Sequence, residues 1–236
     1  MPQLSDFTTA RVDLGQAGDS LPTPALLDFR LAHARARDAV HLPLDMTSMA
    51  AEMAGNEWSS VALSSQAGSR REYLLRPDLG RALSEDSRKA LCDFPGQPTV
   101  IAVADGLSAL AVHRHAVPLL LALQATGEAI RSIFLIQQGR VAISDDLGET
   151  MRSDLCVLLI GERPGLSSPD SLGAYLTWRP HRGCTDAHRN CVSNIHQQGL
   201  SYQAAAQKIA YLMVESRRLK LTGVGLKERA DQIAGS

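Results

Sequence analysis

The run Leu159-Ile160-Gly161-Glu162-Arg163-Pro164-Gly165 leads an apolar stretch directly into a glycine, a carboxylate, a guanidinium and a Pro-Gly corner. That order holds polar groups in fixed directions at a strand end, and Glu162 there can accept hydrogen bonds from the amides or hydroxyls of a large ligand. The competing reading, a local Glu162–Arg163 surface pair, is worth little energetically. A second turn, Gln137-Gln138-Gly139-Arg140-Val141, offers an apolar Val141 side chain with its own backbone N–H and C=O; a plain hairpin turn explains it almost as well. A third, Asp105-Gly106-Leu107-Ser108, lacks the G-x-G-x-x-G pattern and puts an acid where an anion would lie. Its simpler meaning is a capped strand-to-helix turn.

Cys184-Thr-Asp-Ala-His188-Arg-Asn-Cys191 invites a metal, but Cys184, His188 and Cys191 give three ligands in an odd order where structural zinc takes four. The same segment half-matches D-x-H-x-x-G, the signature of histidine ligation to cobalt, with Cys191 in place of the glycine. G-x-S-x-G, the P-loop and H-E-x-x-H are all missing. His113 and His115 flank Arg114 on a predicted helix, where a solvated face is the default. No acid, base and substrate pocket assemble from this chain alone. That points to a subunit completing a site on another polypeptide.

The elements that must position these groups follow from periodicity. Thr99–Ala104, Ile130–Ile136, Asp154–Ile160 and Ala174–Trp178 read as strands, the first and third nearly continuous in apolar residues, as expected for strands covered on both faces. Cys156, inside the third, reads as a small core hydrophobe. Thr23-Pro24 reads as a helix start, with Leu26, Leu27, Leu31 and Ala34 as its buried stripe. A second helix spans about Leu44 to Ala54, its methionines reading as core or interface filler, and Gly68–Leu75 reads as loop with a short strand. A helix opens at Pro77-Asp78 and runs to about Leu91. The segment after Ser108 reads as a helix that Pro118 must break or kink, and a last helix runs from Tyr202 to Lys220.

Strands alternating with helices predict an α/β fold: a mostly parallel, Rossmann-like sheet flanked by helices and preceded by a smaller helical region. The expected organisation is an arm over 1–22, a helical region over 23–94 and an α/β domain over 95–236, with the breaker cluster Phe94-Pro-Gly-Gln-Pro98 at the boundary. In such sheets ligands sit outside the carboxyl ends of strands, where Val141 and Glu162 fall.

The chain has 236 residues, 44% hydrophobic and 21% charged, values that exclude wholesale disorder. Lys+Arg 24 against Asp+Glu 25 gives no overall basic field for nucleic acid. Four scattered cysteines do not make a disulfide framework. No charged-then-apolar leader and no stretch of about 20 apolar residues is present, so the expectation is a reduced, cytoplasmic protein with no membrane partner.

Leu159-Ile-Gly-Glu-Arg-Pro-Gly-Leu166, Ser171-Leu172, Tyr175 and Arg189-Asn-Cys-Val-Ser-Asn-Ile-His-Gln197 together closely resemble the small (light) subunit family of ethanolamine ammonia-lyase. Tyr73-Leu-Leu-Arg-Pro-Asp-Leu-Gly80, Ala104-Asp-Gly-Leu-Ser108 and Gly139-Arg-Val141 extend the resemblance, which spans from about Pro22 to near the C-terminus. What it implies is an adenosylcobalamin-dependent radical lyase converting ethanolamine to acetaldehyde and ammonia. It also implies a hetero-oligomer in which the large subunit holds ethanolamine and the cofactor lies between large and small subunits. By that resemblance the cobalamin contacts of this chain are Val141, Glu162 and Cys191, and cobalamin keeps its own benzimidazole on cobalt. Enclosure in a bacterial microcompartment is compatible with the resemblance and not decided by the sequence. A reading from another class, a free-standing nucleotide-binding α/β regulatory protein, rests on the strand-loop-helix order around Asp105-Gly106.

Overall fold

In the computed structural model of the chain, residues 14–92 and 94–227 are described; positions 1–13 of the expected arm lie outside them. The central strands form where the sequence runs apolar through consecutive interior positions. β2 (Thr99–Ala104), β3 (Ser132–Gln137) and β4 (Leu155–Gly161) sit at the middle of one six-stranded sheet of order β1-β3-β2-β4-β5-β6. The edges are β1 (Ser59–Ser64) on one side and, on the other, β5 (Leu172–Trp178) followed by β6 (Arg189–Ile195). The first four strands are parallel; β5 runs antiparallel to β4, and β6 antiparallel to β5. This is the α/β class expected, although the strand order is not the 3-2-1-4-5-6 of dinucleotide folds.

Alternate residues of the central strands feed two cores. Ile101, Val103, Leu135, Val157 and Leu159 face α2 (Met46–Gly55), α5 (Ala109–Ala125) and α7 (Tyr202–Leu219). Val100, Ala102, Phe134, Cys156 and Leu158 face α4 (Glu85–Cys92) and α6 (Ile143–Thr150). Met49 and Met53 are fully buried, as expected of filler.

Several expectations are corrected. Residues 70–75 form a helix, α3 (Arg70–Leu75), capped by the Ser69 hydroxyl accepting from the Glu72 N–H at 3.2 Å. The single helix expected from Pro77 to Leu91 is two pieces, a 3-10 turn at Leu79–Arg81 and then α4, because residues 82–84 run extended to bond back to Ser64 and Gln66. Pro118 does not interrupt α5: the lost N–H removes one backbone bond, and burial of Ala116, Leu119 and Leu120 around it outweighs that loss. α1 (Thr23–His41) takes in the expected cap Thr23 as its first residue, one position earlier than expected, with Pro22 at the N-cap. Its stripe is not buried within the chain, Leu27 being 57% and Leu31 51% exposed. No described helix is long and apolar enough to cross a membrane.

Candidate functional site

Chain connectivity opens a crevice at one edge of the sheet. β2 passes through α5 to β3 on one side, while β4 turns back into β5 on the other, so their carboxyl ends diverge. A cavity of about 420 Å³ lies there, lined by Tyr73, Gly106, Arg140, Val141, Glu162 and Tyr175, among others. Two of the three residues singled out from sequence, Val141 and Glu162, therefore share one cavity. The third, Cys191, stands opposite Tyr175 in the β5–β6 register, and its thiol is exposed rather than a buried structural one.

Glu162 does not pair with Arg163 among the described residues. Its Oε2 accepts from the backbone N–H of Asn194 at 3.2 Å, which ties the end of β4 to β6, the strand of Cys191. Burial, and after it the neighbouring Cys191, push the Tyr175 phenol well above its usual range. A tyrosine hydroxyl is protonated at neutral pH in any case, and Tyr175 is a donor there.

Two turns are locked beneath this cavity by Arg70 and Tyr73, which sequence patterning did not single out. The Asp105 carboxylate, 1% exposed, accepts from Arg70 Nη1 and from the Gly139 N–H, both at 3.1 Å. Arg70 also donates to the Gly106 carbonyl at 2.9 Å and to Val40 at 2.8 Å. The Tyr73 hydroxyl donates to the Gly139 carbonyl at 3.1 Å, and the Arg70 and Arg140 guanidinium carbons stand 4.7 and 4.2 Å from the Tyr73 ring centroid. α3 is thus a brace holding the 105–108 and 138–141 turns in one geometry. The Ser69-x-x-Glu72 capping pattern was the available signal for it.

Burial pushes the Asp105 carboxyl up to about 6, against the opposing pull of Arg70. A carboxyl held higher in the folded chain than in the unfolded one keeps a proton that unfolding releases between about pH 4 and 6. The stability linked to this group is full below that window and declines as pH rises through it, by at most about 3 kcal/mol. Asp105→Asn cannot titrate. In urea denaturation the wild type should therefore lose ground to Asp105→Asn as pH is raised across the window; a pH-independent difference would refute this.

Of the histidines expected on a solvated face, His115 is buried and His113 half-buried. His115 is 3% exposed, its Nδ1 is 2.8 Å from the Tyr202 hydroxyl and its Nε2 is 3.4 Å from Asp170, because α5 is covered by α7 and the 167–170 loop. His113 Nε2 accepts the Asp45 N–H at 3.1 Å, securing the start of α2.

The comparisons with known proteins agree on one family. The model of the family described as ethanolamine ammonia-lyase light chain matches residues 1–227. An ethanolamine ammonia-lyase small subunit from Pseudomonas fluorescens is 51% identical over 97% of this chain and 86% of its own length. Proteins of the same name from Pseudomonas syringae pv. tomato and Pseudomonas paraeruginosa are 49% and 51% identical, each over 97% of this chain and over 83% and 87% of their own lengths.

Proposed function

The chain belongs to the ethanolamine ammonia-lyase light-chain family, and on that premise we propose that it is the small subunit of a hetero-oligomeric lyase whose cofactor, adenosylcobalamin, binds against the Val141–Glu162–Cys191 edge. The observation that carries the reading is the meeting of Val141 and Glu162 in one cavity at the carboxyl ends of β2, β3 and β4, with Cys191 next to its Tyr175 wall. The described residues from 95 onward are the cobalamin-facing part, braced by α3 from the preceding segment.

The donor set fits a corrinoid. Its rim of amides needs acceptors and donors at separate points, and the wall offers a carboxylate at Glu162 and a phenol at Tyr175. Arg140 Nε is buried with no partner, an unfilled donor where an acceptor on a ligand would be stabilising. The cavity is smaller than a corrinoid, in keeping with a site that a large subunit completes. The chemistry that adenosylcobalamin supplies when bound is radical initiation. Val141 packs on an apolar face of the ligand, Glu162 accepts from its amide N–H groups, and Cys191 makes a small, weakly polar contact. Together they orient the ligand and exclude water. Ethanolamine is held mainly by the large subunit.

Two measurements test this. Mixing the purified chain with the large subunit and adenosylcobalamin should restore ammonia release from ethanolamine that neither polypeptide gives alone; failure both to associate and to turn over overturns the reading. In the assembled enzyme Glu162→Ala should weaken cofactor affinity by about 1–3 kcal/mol, the worth of a charge-assisted bond. Unchanged affinity removes Glu162 from the site. The nucleotide-binding alternative gains nothing from the 105–108 turn, where the buried Asp105 carboxylate is already engaged by Arg70 and Gly139.

A further inference from the structure

Arg140 is an anomaly on the cavity wall. A half-buried guanidinium normally faces a carboxylate, yet among the described residues none lies within ion-pair distance of it, and Nε is buried without any hydrogen-bond partner. Its placement is nonetheless fixed. The backbone N–H of Arg140 donates to Gly80 at 2.7 Å, Nη2 donates to the Tyr73 carbonyl at 3.2 Å, and the guanidinium stacks on the Tyr73 ring at 4.2 Å. A second buried donor without a partner, Arg70 Nη2, belongs to the guanidinium on the same tyrosine. Glu162, on the same cavity, directs its carboxylate to the Asn194 N–H and leaves Arg140 uncompensated. A rigid, partly desolvated cation of this kind is preorganised for an anion that arrives with a ligand, and a guanidinium fork matches phosphate oxygens.

We propose that Arg140 is the anion-holding residue of this site and takes the phosphodiester of a nucleotide-tailed corrinoid. This rests on the cofactor-binding reading above and adds to it the part of the ligand that this chain recognises. The cavity is then polarised, with Glu162 accepting from amide N–H groups on one wall and Arg140 neutralising the tail phosphate on another.

The test is equilibrium binding to the assembled enzyme, followed by corrin absorbance, with two non-turnover probes. Cyanocobalamin carries the nucleotide tail and its phosphate; cobinamide lacks both. Arg140→Met should raise the dissociation constant for cyanocobalamin by about 10- to 100-fold. It should leave that for cobinamide within about twofold, which also reports that the variant is folded. Arg140→Lys, keeping the charge without the fork, should recover part of the loss, and the salt dependence of cyanocobalamin binding should weaken in Arg140→Met. Equal losses on the two probes, or no loss on either, overturn the assignment of Arg140 while the family reading and Glu162 stand. A wild-type assembly that binds neither probe overturns both.

Discussion

Gly161→Ala should lower stability by about 3 kcal/mol, a fall in Tm of roughly 6–12 °C for a domain of this size, and should abolish cofactor binding in the assembled enzyme. The reason is a backbone-to-backbone contact. A Cβ on Gly161 would collide with the carbonyl oxygens of Ser108 and Asp105, which are rigid main-chain atoms. The contact is reciprocal: Gly106, at φ +54°, lies so close that its own Cβ would strike the Gly161 carbonyl. Leu107 N–H donates to that carbonyl at 3.0 Å. Neither side can retreat, because Gly161 is the last residue of β4, paired with Leu172 of β5, and Asp105 is fastened to Arg70 and Gly139. Overpacking here shifts the turn that forms one wall of the cavity, so binding is lost along with stability. Gly55→Ala is the control: a Cβ there meets nothing within 4 Å, at the exposed end of α2. It should leave Tm unchanged or slightly raised. A thermal melt of both variants, with cyanocobalamin titration of the assemblies, decides the matter; a Gly161→Ala protein that melts with the wild type contradicts the steric argument.

What could be read from the chain depended on how each segment is buried. β2, β4 and α7 were legible because strands buried on both faces leave uninterrupted apolar runs and a covered helix leaves a stripe, as in Ala205, Ile209, Leu212 and Met213. β1 and β6 left no such mark. Of Ser-Ser-Val-Ala-Leu-Ser only Leu63 is buried, and in Arg-Asn-Cys-Val-Ser-Asn-Ile the buried positions are Arg189, Val192 and Ile195. Edge strands are half solvated, and their sequences look like loops. The stripe on α1 illustrates the converse, since apolar periodicity records that a face can be covered and not by what. Val141 and Glu162 were accessible because strand ends are where such sheets bind ligands, whereas Cys191 came only from resemblance, its strand being unrecognised. The Arg70–Asp105 and Tyr73–Gly139 contacts join residues 35 and 66 positions apart, and no local pattern announces a pairing across that distance.

The largest electrostatic effect is expected at Arg189, which opens β6 two residues before Cys191. Its side chain is 3% exposed and grips Asp145 of α6 through two bonds, Nη1 to Oδ1 at 2.5 Å and Nη2 to Oδ2 at 2.8 Å; Nη2 also donates to the Cys184 carbonyl at 3.0 Å. The pair therefore joins the strand of Cys191 to the helix that begins just after Val141. Arg189→Met leaves Asp145 buried with no cation and should cost about 3–5 kcal/mol. Arg189→Lys should recover little, since a point charge cannot make the two parallel bonds. The pH dependence separates this from simple loss of packing. Burial already raises the Asp145 carboxyl, and Arg189 is the main influence holding it down. Without the arginine the carboxyl moves further up, so the folded variant binds a proton that its unfolded form does not, and its deficit should shrink as pH falls. Arg189→Met combined with Asp145→Leu removes both charges and should regain most of the stability. Denaturant titrations of the two single variants and the double variant measure the coupling directly. Additive losses with no pH dependence would mean that the pair is not what fastens β6 to α6. In the predicted case Arg189→Met should also weaken cofactor binding, because Cys191 and Val141 are then no longer held in one frame.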